Sequence, residues 1–157
     1  MFNHASELYT TSPRVDQHLT WSGGSDRTTY YLSLGRLDQE GIIKEGSSYD
    51  RTTARVRGSH AFRDDLRISA NLAYTNSFSE LIQTGSNISG IQLGALRTPP
   101  DFDNREYLTE SGLHRSYRVR NPAALVQGRG YDNPFWIMNE MPNTAEVSRT
   151  FGNVHVE

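Results

Sequence analysis

Ten residues, "LRISANLAYT" from Leu66 to Thr75, alternate without a slip: Leu66, Ile68, Ala70, Leu72 and Tyr74 hold one phase, and Arg67, Ser69, Asn71, Ala73 and Thr75 the other. Successive side chains of a strand point to opposite faces, so this period of two builds a sheet with one greasy and one wet side. A helix would need its apolar residues every three to four positions. A greasy face must be covered by something, and what covers it decides the class of protein.

The same alternation recurs. Asp16–Gly23 puts Leu19 and Trp21 opposite His18, Thr20 and Ser22. Thr28 to about Leu37 sets Tyr30, Leu32 and Leu34 against Thr29, Tyr31, Ser33 and Gly35. Tyr49–Phe62 sets Thr52, Ala54, Val56, Gly58, His60 and Phe62 against Arg51, Thr53, Arg55, Arg57 and Ser59. A last candidate lies at Asn143–Val156, where Val154 and Val156 are out of phase with Val147 and Phe151; a bulge near Gly152 would reconcile them. The runs exceed the usual five or six residues of a globular strand. "GGSD" and "RDD" are tight polar turns, whereas "DQEGIIKEGSS" and the stretch from Ser77 to Pro142 are long. The fold class expected is therefore all-β, with about five antiparallel strands.

The cover is hard to find within the chain. Of 157 residues only 35% are apolar and 13 are glycine, and the mean hydropathy is −0.65. One soluble solution is a sandwich with a second sheet. The other is a β-barrel in lipid, whose alternating strands leave no hydropathy peak. Arg51, Arg55, Arg57, Arg67 and Asn71 would line a wet lumen, and Leu19, Trp21, Tyr30, Leu32, Leu34, Val56, Leu66, Ile68, Leu72 and Tyr74 would face lipid. The presumed core face also carries Thr52, Gly58 and His60, which makes it a poor core. Tyr30, Phe62 and Tyr74 fall toward strand ends, where aromatic girdles of barrels sit. A net charge of −2 gives no field for nucleic acid, and there is no cysteine for a disulfide or thiolate site. No run approaches the roughly 18 apolar residues of a membrane helix, and "MFNHASELYT" lacks the basic start and apolar stretch of a signal peptide.

From "HLTWSGGSDRTTYYLSLGRLDQEGIIKEGSSYDRTTARVRGSHAFRDDLRISANLAYTNS" the chain resembles the start of the barrel in SusC/RagA-type TonB-dependent outer-membrane transporters of Bacteroidetes. "GALRTPPDFDN", "GLHRSYR" and "RGYDNPFW" are similar to one branch of that family. The resemblance implies a fragment of a transmembrane β-barrel of about 22 strands, truncated at both ends and lacking the plug. Residues 1–15 would end an extracellular loop, and 16–76 would supply four strands. A long, partly helical extracellular loop would occupy 77–142, and 143–157 a fifth strand. It implies import of oligosaccharides or peptides across the outer membrane of a Gram-negative cell. The implied partners are outer-membrane lipid, a SusD-like surface lipoprotein and the TonB system acting through the missing plug. No cofactor is implied. Arg36 departs from the family, which usually has an aromatic after "SLG"; an outer-rim position would let it meet lipopolysaccharide phosphates or solvent.

The long loop holds the remaining chemistry. Ile88, Ile91, Leu93 and Leu96 are spaced near three to four before Pro99–Pro100, which predicts a helix from about Asn87 to Arg97. Asp101, Asp103 and Asn104 could ligate calcium, but lack the glycine and distal glutamate of an EF-hand, so an Asx-turn explains them better. Tyr117, Tyr131, Phe135 and Trp136 offer aromatic planes for a sugar or peptide, or simply pack the loop. His114 beside Arg115 has no nucleophile or carboxylate at supporting spacing, and no carboxylate pair suggests a sugar-cleaving enzyme. The rival to the transporter is a soluble β-sandwich carbohydrate-binding module.

Overall fold

A computed structural model describes residues 1–118 and 130–157; residues 119–129 of the long loop, which include Arg129 of "RGYDNPFW", lie outside the described residues. Five strands, β1 Arg14–Gly24, β2 Thr28–Glu40, β3 Ser48–Arg63, β4 Leu66–Glu80 and β5 Thr144–Val156, form a single sheet in sequence order. The helices are short: α1 His4–Leu8, α2 Ile91–Arg97 and α3 Pro134–Glu140. The chain divides into two units, the sheet on one hand and, on the other, Met1–Ser12, Gly41–Ser47 and Glu80–Thr144.

Register follows the hydrophobic alternation, as it must where slipping by one would invert every side chain. Leu19 pairs with Leu34, Trp21 with Leu32 and Gly23 with Tyr30. Leu32 pairs with Val56 and Leu34 with Ala54, while Ser33 opposes Arg55 and Tyr31 opposes Arg57 on the other side. Trp21 meets Tyr30 edge to face at 6.2 Å. The Tyr30 ring swings over Gly23, its Cζ 2.7 Å from where a β-carbon would stand. The strands outrun their apolar pattern because ladder bonds hold polar residues equally well: β2 runs on to Glu40, with Gln39 opposite Arg14.

Between β4 and β5, Arg67 and Glu157 exchange backbone hydrogen bonds of 2.9 Å each, and the Leu81 amide donates to the Asn143 carbonyl at 2.7 Å. Side-chain contacts Asn71–Asn153 and Asn76–Ser148 fall on the same register. The register is therefore constant from end to end, and the bulge expected near Gly152 is not there. Gly152 instead lies across from Leu72, whose Cδ1 would be 3.3 Å from an added β-carbon. Val147 and Phe151 simply stand on the opposite face from Val154 and Val156, and both are exposed.

The greasy face is bare. Leu19 and Trp21 are each 66% exposed, Val56 52%, Leu72 54% and Val154 70%. Tyr30, Leu34, Phe62, Tyr74 and Val156 are also exposed, and Leu32, Leu66 and Ile68 are half-buried. The described strands make one sheet only, so a sandwich has no second layer among them. The structure is a five-stranded antiparallel sheet with few helices, as a segment of barrel wall requires.

The second unit has its own small core of Leu8, Ile43, Ile91, Ala95, Phe135, Ile137 and Met138, flanked by Tyr9, Ile82, Tyr107 and Trp136. Helix α2 starts at Ile91, later than the expected Asn87. The Ser86 hydroxyl accepts from the amides of Ile88 and Ser89, at 3.2 and 2.9 Å, and folds that stretch into a turn. The helix ends at Arg97, with Thr98 as its cap, before the prolines that cannot continue it. Helices α1 and α3, at 5 and 7 residues, are too short to show a period.

Candidate functional site

The long loop is organised around Asn133. The sequence "DNPFW" places a capping residue before a proline, and the structure uses both: Asn133 Oδ1 accepts from the Phe135 amide at 2.9 Å, with Pro134 in the first turn. The Asn133 amide nitrogen donates to the carbonyls of Asn104 and Arg115, each at 2.9 Å. Its backbone N–H donates to His114 Nε2 at 3.1 Å. One buried side chain therefore joins three segments.

His114 stacks on Trp136 with ring centroids 4.3 Å apart and 29° between planes. Accepting at Nε2 requires the neutral imidazole there. Desolvation holds its pKa below the ordinary histidine value, partly opposed by the charge of Asp132. Beside it, Arg115 lies over the Phe102 ring at 4.2 Å and donates to the carbonyls of Asp103 and Glu106 at 2.7 and 2.6 Å. Phe102 meets Tyr117 edge-on at 5.7 Å.

The four aromatics separate by burial. Tyr131 (3% exposed) and Phe135 (9%) lie in the interior of the loop, while Tyr117 is 44% exposed and Trp136 is half-buried, one face against His114. Tyr117 and Trp136 thus keep surface on offer. Asp103 Oδ1 accepts from the Arg105 backbone amide at 3.0 Å, which is an Asx-turn, and its carboxylate is gripped by the Arg105 guanidinium at 2.8 Å. That hydrogen bond holds the Asp103 carboxyl below the usual carboxylate range. Asp103 is thus engaged locally, and Asn104 beside it is buried.

On the sheet, the polar side forms a hollow of about 640 Å³ lined by Arg55, Arg57, Tyr31, Ser69, Asn71 and Asn153, among others. Arg51 stands further along the ladder, opposite the buried Leu37, and Arg67 lies near the end that pairs with Glu157. Among the described residues, no ion pair involves these four arginines. Arg36 differs: its guanidinium is bonded to Asp38, lies 3.5 Å from Asp50 and donates to Thr52 at 3.0 Å. Two carboxylates of the sheet itself thus neighbour the charge expected to meet phosphate or solvent, and the knot ends the apolar face on β2 and β3. On β4 and β5, Asn76 with Glu146 and Ser148 does the same. This belt was not legible beforehand because it depends on register.

Known proteins share both sequence and fold. Over 142 residues, 89% of the chain, it is 28% identical to the TonB-dependent receptor SusC of Bacteroides thetaiotaomicron. Over 119 residues it is 29% identical to the TonB-dependent receptor P39 of Formosa agariphila. The chain spans 13% and 11% of the lengths of these curated relatives. Structures of the RagAB peptide transporter, one of them in its closed–closed state, align over 98% of the chain and 17% of theirs, with TM-scores of 0.61 and 0.59 at 20% and 18% identity. No family model matches the chain. The chain is thus similar in sequence to TonB-dependent receptors of the SusC type and in fold to one stretch of the RagAB transporter.

Proposed function

We propose that the chain works as part of an integral outer-membrane transporter that imports oligosaccharides or peptides, with its apolar sheet face in lipid and its arginine face toward a plugged, aqueous lumen. The residues placed against lipid are Leu19, Trp21, Tyr30, Leu32, Leu34, Val56, Leu66, Ile68, Leu72 and Tyr74. Those placed toward the lumen are Arg51, Arg55, Arg57, Arg67 and Asn71. The long loop is extracellular, and Tyr117 and Trp136 are its candidate contacts for cargo or for a SusD-like lipoprotein. Energy would come from the TonB system through a plug region that these residues do not include.

One observation carries the reading: the apolar face has exposed members on every strand, Leu19, Leu34, Val56, Leu72 and Val154, an apolar surface of a kind that monomers in water rarely show. The relatives are receptors and transporters, which supports transport over catalysis. The test is made in the protein as its native cell produces it. Replacing Val56 or Leu72 by arginine should cost about 2–4 kcal/mol at mid-bilayer and abolish outer-membrane assembly, while Arg55→Gln should assemble normally. Normal assembly of both arginine variants would sink the lipid assignment, and uptake independent of TonB would sink the transport one.

A further inference from the structure

The polar side of the sheet carries more positive charge than composition explains. The chain is net negative, at −2. Yet Arg51, Arg55, Arg57, Arg67 and Arg149 share this side, in phase with the Asn71–Asn153 contact and the Tyr31–Arg57 pairing. None of the five forms an ion pair among the described residues. The carboxylates in the same phase are engaged, Asp16 with Arg14 at 3.6 Å and Glu157 with His155 at 3.0 Å. Residues 119–129, outside the described ones, contain Arg120 and Arg129 but no aspartate or glutamate. They have no counter-charge to offer.

Arg55 and Arg57 come together in the hollow of about 640 Å³, a size within the roughly 300–1,000 Å³ of small-ligand sites. Both are exposed, and no carboxylate is among the described lining residues. The neutral groups there satisfy one another. Thr29 Oγ1 and Ser59 Oγ share a hydrogen bond of 2.7 Å, and Asn71 donates to Asn153 Oδ1 at 3.4 Å. The two guanidiniums, with five N–H donors each, are the groups still open to an acceptor. Neighbouring like charges repel, and an anion set against both turns that repulsion into attraction.

We infer that this hollow binds an extended acidic peptide with carboxylates at alternate positions, one on Arg55 and the next on Arg57. The inference rests on the lumen-facing placement proposed above. Alternate side chains of any extended chain stand about 6.6 Å apart on one face. A peptide laid along β3 therefore repeats at the spacing of the arginines themselves, whereas a chain of sugar acids repeats at a spacing set by its rings. Each guanidinium presents a planar fork that matches a carboxylate bidentately.

The test is calorimetric titration of the whole protein, extracted in detergent from the outer membrane of its native cell. The peptide acetyl-Asp-Ala-Asp-Ala-amide should bind saturably. Its isomer acetyl-Asp-Asp-Ala-Ala-amide, equal in charge, should bind at least fivefold more weakly, and acetyl-Asn-Ala-Asn-Ala-amide at least tenfold. Arg55→Gln and Arg57→Gln should each lower affinity at least fivefold. Arg27→Gln removes the same charge from the β1–β2 turn, where it pairs with Asp64, and should leave affinity unchanged. Full affinity in the Arg55 and Arg57 variants, an equal loss in Arg27→Gln, equal binding of the isomer, or tighter binding of digalacturonate would each overturn the inference. Absence of binding would mean that the arginines are already held by carboxylates elsewhere in the protein, and would overturn it too. Assembly and uptake test the placement in the membrane and affinity in detergent tests the hollow, so either can fail alone.

Discussion

Asn133 contributes more than a surface asparagine should. Replacing it with alanine removes a helix cap and strands one buried and one part-buried carbonyl, so Asn133→Ala should destabilise the loop unit by about 2–4 kcal/mol. Denaturant titration followed by Trp136 emission, in a Trp21→Phe background, would measure it, and a loss below 1 kcal/mol would contradict the bonding described. His114 adds a pH dependence with a definite sign. Its folded pKa is depressed by burial, so below about 6.5 the unfolded chain takes up the proton first. Stability of the loop is then full at neutral pH, falls as pH drops through that range, and levels off below the folded pKa. The same emission signal should show this, and His114→Gln should flatten it. At this scale the sequence was partly legible: "DNP" carries a cap and a first-turn proline, but which carbonyls Asn133 reaches depends on segments that meet only in the fold. Arg36 shows the same limit, because Asp50 becomes its neighbour only through the β2–β3 register.

Among the elements, the strands and the body of α2 were readable, whereas the short α1 and α3 were not. A period of two over ten residues survives any context, so Leu66–Thr75 and its companions fall in β1 to β4, with ends shifted by ladder bonds that pattern does not register. Phe151 was ambiguous for a different reason: an edge strand with both faces exposed carries little phase information. The constant β4–β5 register places Gly152 where a β-carbon would lie 2.6 Å from the Asn71 carbonyl oxygen. That contact is with backbone and cannot be relieved by a rotamer. Gly152→Ala should therefore weaken this ladder by about 1–3 kcal/mol, seen as faster amide exchange in β4 and β5 with β1–β2 unaffected. Unchanged exchange would mean that the two strands can part without cost.

For the whole molecule, the sheet leaves two strand edges, at β1 and β5, and an uncovered apolar face. Both features favour association in water. The chain in plain buffer should elute as heterogeneous aggregates, and in detergent micelles as a single species with β-rich circular dichroism. A monodisperse monomer in buffer with cooperative unfolding would instead favour the sandwich reading. The overall class was legible because alternation, strand length and loop asymmetry agreed. The two-unit division was not, since the loop core draws on residues near 8, 43, 91 and 135 that no local pattern links.

The single pairing of β4 with β5 also has a kinetic side. Three residues separate β1 from β2 and two separate β3 from β4, but more than sixty lie between Glu80 and Thr144. Closing that span costs on the order of 3 kcal/mol more chain entropy than a three-residue turn. Ile82 and Ile137, gathered at the loop's own core, shorten the search by bringing the two ends together before the ladder zips. The last stave should therefore arrive late, and only once the loop has condensed.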